Sequence, residues 1–258
     1  MTPHAYRNRV ERKRLKLERK YIALLEKVFN KQLNDFTKAI YNNLYGAVYS
    51  IDIYFNDVLL ERALTRLWEE TGEEFRIDNV EAILVKSINP STWASLLGQW
   101  IATTGGQKIV EINRFTKAYV LRKLRPILNQ GVQEGLGIPE IARNIIAGVK
   151  EYQGAFAKYR ATRVARTEIV GMSNNASLMS AESAGLTGRI KKRWLPFLDE
   201  NTRESHAEME NYPAIELNDD FIVNRSDGGT DRMQYPGDPR GSAGNSINCR
   251  CTVIYERA

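Results

Sequence analysis

A mainly α N-terminal region followed by a small α+β C-terminal module is the fold class this sequence predicts. Apolar residues recur at steps of three and four through most of the first 184 positions, the signature of amphipathic helices. Beyond Gly185 and Gly188 the pattern changes to short alternating segments separated by Asp, Gly, Asn, Ser and Pro. With 43% hydrophobic and 26% charged residues in 258, the chain can fold and bury a sizeable core. No run of about 18 uncharged apolar residues offers a membrane span, and the N-terminus lacks the apolar segment of a secretory signal. Two cysteines cannot make a disulfide framework, so a reducing cytosolic origin is expected.

Taken in order, residues 1–20 read as a basic arm. Arg7, Arg9, Arg12, Lys13, Arg14, Lys16, Arg19 and Lys20 face only Glu11 and Glu18, so this stretch alone carries the net charge of +6. Such a block meets nucleic acid through phosphates or docks on an acidic protein surface. Tyr6 is the only aromatic interleaved in it, so a DNA contact would be to backbone.

Residues 21–155 read as a helical domain. Ile22, Leu25, Phe29, Leu33, Phe36 and Ile40 form one apolar face, and no Gly or Pro interrupts residues 5–45. Such a stripe needs a covering partner, either later helices or another subunit. Val48 to Phe55 is rich in β-branched and aromatic residues and is expected as a strand. Helices follow over 57–71, stopped by Thr71-Gly72, and over 78–88, stopped before Pro90. Ser91 is expected to cap the next helix, which carries Trp93 and Trp100. After a break at Thr104-Gly105-Gly106, a helix over 108–134 should kink or split at Pro126. A turn over 135–139 leads to a helix over 139–149. Trp68, Trp93 and Trp100 are expected as core or interface anchors.

Residues 156–258 form the α+β module. A helix over 156–184 carries Ala165-Arg166-Thr167-Glu168, with Arg166 and Glu168 either ordering the packing or facing the C-terminal segment as buried charge partners. A strand over 189–194, a cap and short helix over 199–209, a strand edge over 220–223, a long loop over 224–246 and a closing strand over 247–255 complete it.

The scarce residue types gather in this module. His206 is one of two histidines, and Cys249 and Cys251 are the only cysteines. On a strand, residues two apart face the same way, so both thiols would lie side by side. Three readings stay open. The cysteines are small buried hydrophobes with His206 bonded to a carbonyl or Asp199. Or His206, Cys249 and Cys251 hold zinc, with Asp199 or Asp238 as a fourth ligand. Or the thiols serve a redox or disulfide role, against which the geometry of so short a loop counts. Phosphate-binding glycine loops, zinc-protease helices and nucleophile elbows are absent from the sequence. A non-enzyme is expected.

Four blocks together resemble the phage Mu protein F-like family of minor head, or head morphogenesis, proteins of tailed bacteriophages. They are Ala165-Arg166-Thr167-Glu168; Trp194 to Leu198-Asp199, Thr202-Arg203 and His206; Tyr235-Pro236-Gly237-Asp238-Pro239; and Ile247-Asn248-Cys249-Arg250-Cys251. The resemblance covers roughly residues 120–258 and marks Arg166, Glu168, Trp194, Asp199, Arg203, Pro236, Asp238 and Asn248 as its structural signature. Where the family often has a glycine shortly after the histidine, this sequence has Glu210-Asn211.

The resemblance implies a low-copy virion component, in the capsid interior near the portal vertex and in the host cytoplasm during assembly. Its implied partners are the portal protein, the major capsid protein as a further candidate, and packaged DNA through the basic arm. Implied roles are head assembly and DNA packaging or ejection. Some relatives fuse toxin or ADP-ribosyltransferase domains to this module. With Ala258 only seven residues past Cys251, no such cargo is expected here. The alternative function is a nuclease- or toxin-like enzyme with His206 as general base and Arg203 or Arg250 holding phosphate.

Overall fold

The computed structural model describes residues 2–76 and 89–258. Helices α1 (Pro3–Asn42), α2 (Leu44–Tyr49), α3 (Ile51–Tyr54), α4 (Asp57–Arg76), α5 (Pro90–Trp100), α6 (Gly106–Gln133) and α7 (Ile138–Ser183) precede strand β1 (Ile190–Leu195). Then come α8 (Glu204–Ala207), a 3-10 turn (Glu208–Asn211), β2 (Ile215–Glu216), β3 (Phe221–Asn224), β4 (Thr230–Met233), α9 (Ala243–Ser246) and β5 (Thr252–Arg257). The mainly α region followed by an α+β module is what the sequence predicts.

The division into compact units differs from a simple succession of domains. One unit gathers Met1–Lys20, Arg66–Ala102 and Arg163–Ala258; the other gathers Tyr21–Thr65 and Thr103–Thr162. The reason is helix length. At 40 and 46 residues, α1 and α7 are each longer than a small core, so each supplies different stretches to different cores.

In the second of these units, Leu33, Phe36, Ile40, Val120, Leu124, Ile145 and Val149 form a common core. Phe36 packs against the rings of Tyr54 and Phe55 at 5.8 and 5.9 Å, and Tyr119 stacks on Phe156 at 4.5 Å. The expected strand over Val48–Phe55 is helical instead. Asn43 caps α2 by accepting from the Gly46 N–H at 2.9 Å, and Ala47, Ile51 and Phe55, four apart, all enter the core. Burial on a helical period overrides β propensity. Likewise α7 runs unbroken where two helices were expected, because Tyr152 and Phe156, one turn apart, both pack on Tyr119. Pro126 lies inside α6 without splitting it.

Further boundaries shift in the first unit. Helix α4 runs through Thr71-Gly72 to Arg76, since Gly72 lies where a Cβ would sit 3.2 Å from Leu97 and 3.3 Å from Met172. The glycine permits close helix packing rather than ending a helix. Asn89, not Ser91, caps α5, accepting from the Ser91 N–H at 2.9 Å with Pro90 at the first helical position. A π-helical stretch, Ile101–Gly105, carries the chain into α6 in place of the expected break. The helix expected over 78–88 lies outside the described residues.

In the α+β part, β1 pairs antiparallel with both β2 and β5, giving the order β2-β1-β5. Strands β3 and β4 form a separate hairpin. The long loop expected over 224–246 is therefore partly regular: β4 and α9 lie within it. The Asp231 carboxylate accepts from Ser242 Oγ at 2.6 Å and Asn245 Nδ2 at 2.8 Å, tying hairpin to α9. The polar residues that suggested loop are hydrogen-bonding to one another.

Lys192 of β1 is fully buried, with Nζ 5.5 Å from the Phe221 ring centroid and without a hydrogen-bond partner among the described residues. Burial pushes it down from 10.5 to about 8, with Asp220 and Glu182 opposing. The unfolded chain keeps this proton to about 10.5, so the lysine costs stability at neutral pH and the cost fades between about 8 and 10.5. Lys192→Met is expected to raise stability at pH 7 by roughly 1–3 kcal/mol. The gain should shrink above pH 8 in urea titrations; a destabilised variant at pH 7 would contradict the assignment.

Candidate functional site

The site lies in the unit that holds residues 163–258 and is built on the middle of α7. Gly171 there meets Gly237 of the Tyr235–Pro239 turn so closely that a Cβ on Gly171 would lie 3.0 Å from the Gly237 carbonyl oxygen. Gly237 itself has φ +82°, a conformation glycine adopts without strain. Asn174 donates to the Pro236 carbonyl at 2.8 Å and the Cys251 carbonyl at 3.2 Å, and accepts from the Val253 N–H at 3.2 Å. One side chain thus holds both C-terminal motifs against the helix.

Arg14 of α1 completes this anchor. Its guanidinium is 1% exposed and donates to Ser173 Oγ at 2.8 Å, Asn174 Oδ1 at 2.9 Å, and the Cys251 and Arg250 carbonyls at 3.1 and 3.2 Å. Burial pushes Arg14 below its ordinary value. Residues 1–20, read from the sequence as a basic arm, lie on α1, which packs through Tyr6, Val10, Arg14 and Leu17. Arg7 donates to the Pro196 carbonyl at 2.9 Å, Arg9 lies 5.7 Å from the Tyr6 ring centroid, Lys13 pairs with Glu74 at 3.0 Å and Lys20 with Glu70. Arg12, Lys16 and Arg19 point to solvent.

Arg166 donates to Glu18 at 3.2 Å and to Asn248 Oδ1 at 3.1 Å, and Thr167 Oγ1 accepts from the Asn248 N–H at 2.9 Å. Asn248 has φ 58°, the left-handed conformation that Asn tolerates best after glycine. This turn, rather than strand alternation, presents the thiols: Cys249 and Cys251 precede β5, correcting the expected strand start. Glu168 is buried and accepts from Trp68 Nε1 at 3.0 Å. So Arg166 reaches the C-terminal segment, whereas Glu168 anchors a tryptophan.

His206, Cys249 and Cys251 converge, each under 4% exposed. Nδ1 of His206 lies 3.6 Å from Cys249 Sγ and 3.5 Å from Cys251 Sγ, and Nε2 is buried without a partner among the described residues. The imidazole stands edge-on to Trp194, ring centroids 5.4 Å apart. Cys249 donating to the Cys251 sulfur, and His206 beside it, hold the Cys251 thiol well below its ordinary value against the opposing effect of burial.

Neither expected fourth ligand joins the three. Asp199 pairs with Arg250 and accepts from the Asn201 N–H at 3.0 Å, while Asp238 accepts from the backbone N–H groups of Gln234 at 2.7 Å and Arg240 at 2.9 Å. Both carboxylates are committed to turns. Nor does the His206 imidazole bond to Asp199 or a carbonyl among the described residues. The two arginines offered as phosphate clamps are also engaged: Arg203 donates to the Ile247 carbonyl at 2.6 Å and Arg250 to Asp199.

A row of exposed apolar residues was not singled out from the sequence. Tyr41, Tyr45, Tyr49 and Ile53 recur every fourth position and are 77%, 69%, 92% and 67% exposed. Their spacing is visible in the sequence, but helical state through 44–54 is needed to read it.

Comparison with known proteins matches residues 122–254 to the family described as Phage Mu protein F like protein. The chain is also 31% identical over 125 residues to the NAD(+)-arginine ADP-ribosyltransferase EFV of Enterococcus faecalis, a match covering 48% of this chain and 23% of that one. The chain thus spans about a quarter of that relative, whose activity is its own. No solved structure matches.

Proposed function

We propose, for a chain that belongs to the phage Mu protein F-like family, a structural role as a minor head protein bound to the portal. The family match over residues 122–254 supports a head-morphogenesis-type protein and is the observation that carries this reading. Portal attachment, assistance to head assembly and DNA packaging or ejection, and a place in the capsid interior are the finer parts of the proposal. The exposed row Tyr41, Tyr45, Tyr49 and Ile53 supplies a docking face of the kind that marks protein interfaces. Arg12, Lys16 and Arg19 remain available on α1 for DNA phosphates or an acidic protein surface.

A hydrolytic role for His206 is less well supported, because the imidazole is buried against two thiols. Co-expression with the portal protein of the same phage tests the proposal. A complex of defined stoichiometry is expected, weakened about 30-fold or more by Tyr45→Ser with Tyr49→Ser. Helical content should not change, since both side chains face solvent. Failure of the wild-type chain to co-purify with portal would overturn it.

A further inference from the structure

We propose that His206, Cys249 and Cys251 form a zinc site. Nδ1 of His206 lies 3.5 and 3.6 Å from the two sulfurs, a separation that one ion bonded at about 2.0–2.3 Å to each donor can bridge. The donors come from two places 43 residues apart in the chain, α8 and the turn before β5, so their convergence is a product of the fold.

The state without metal leaves these groups poorly satisfied. Among the described residues, Nδ1 of the buried imidazole has only sulfurs at 3.5 and 3.6 Å for partners. Thiols are weak donors, and buried polar atoms are otherwise bonded almost without exception. A zinc ion would replace those contacts with three strong bonds. Binding takes both sulfurs as thiolates, and any thiol proton still present passes to solvent. Zn²⁺ with two thiolates and a neutral imidazole then carries no net charge, so the site buries no uncompensated ion. Thiolate and imidazole donors suit zinc in tetrahedral geometry, whereas hard cations such as magnesium prefer oxygen donors.

A cavity of about 20 Å³ opens beside the three donors, lined also by Asn201, Thr202 and Asn248. That is room for one water, which would complete a tetrahedron. The metal would join the His206 segment to the C-terminal strand, closing a loop of more than forty residues.

This inference is independent of portal binding, which neither requires nor excludes it. The test is elemental analysis of the full chain purified without a polyhistidine tag from zinc-containing medium. About one zinc per chain is expected. Cys249→Ser with Cys251→Ser should lose it, whereas His206→Cys, which keeps a ligand, should retain it. As a second readout, Co²⁺ added to the chelated chain should give the visible absorption of tetrahedral cobalt together with thiolate charge transfer. That signal keeps the test valid if the serine variant fails to fold. Folded wild-type protein with no zinc, with copper in its place, or with a Cys249–Cys251 disulfide would overturn the proposal. So would cobalt spectra lacking thiolate bands.

Discussion

Arg14→Ala is expected to cost about 3–5 kcal/mol, enough to unfold a marginal protein. The guanidinium is buried and serves two side chains of α7, Ser173 and Asn174, and two carbonyls, those of Arg250 and Cys251. Removing it leaves acceptors stranded away from water, each at about 1–3 kcal/mol before relaxation. The cavity adds to this. The neighbouring cations provide the internal control. Arg12→Ala and Lys16→Ala, both on the exposed side of α1, should stay within about 0.5 kcal/mol of wild type. Urea unfolding followed by circular dichroism reads both. Equal effects at Arg14 and Arg12 would mean that Arg14 is no anchor.

Trp194→Ala is expected to cost about 3–5 kcal/mol as well, through lost packing instead of lost hydrogen bonds. Its side chain is 0% exposed, with ring centroids 5.4 Å from His206 and 5.5 Å from Phe221. It also sits opposite Val253 in the β1–β5 register. The cavity would open beside His206, so the two thiols should become reactive toward a thiol reagent in the variant while remaining protected in wild type. Trp194→Phe, which keeps an aromatic body, should lose much less. A Trp194→Ala chain with unchanged midpoint and protected thiols would contradict this role.

Much of the helical part was legible from periodicity. The Ile22–Ile40 stripe, the helix carrying Ala165–Glu168 and β1 follow from apolar spacing alone. Two of the errors share a physical cause: packing overrides the local signal. Gly72 ends no helix because two side chains need its missing Cβ, and Val48–Phe55 is helical because every fourth residue is buried. Within the site, the gathering of His206, Cys249 and Cys251 was visible as a coincidence of rare residue types. Arg14 was not, since one buried arginine among eight basic residues looks like the other seven until α7 is placed beside it. Gly171 was equally silent, as a glycine inside a long helix shows its purpose only when Gly237 meets it. Asp199 and Asp238 misled as ligands, because carboxylates next to Asn, Thr, Gly and Pro most often bind the backbone of their own turns.

The central claim is that the C-terminal segment belongs to the same cooperative core as the middle of α7. Amide hydrogen exchange of the wild-type chain under native conditions tests this most directly. The amides of Val253 and its neighbours in β5 should exchange as slowly as those of Val170–Leu178, because Asn174 and Arg14 bind both segments. Exchange of residues 252–257 at the rate of an exposed loop, with the α7 amides still protected, would contradict it.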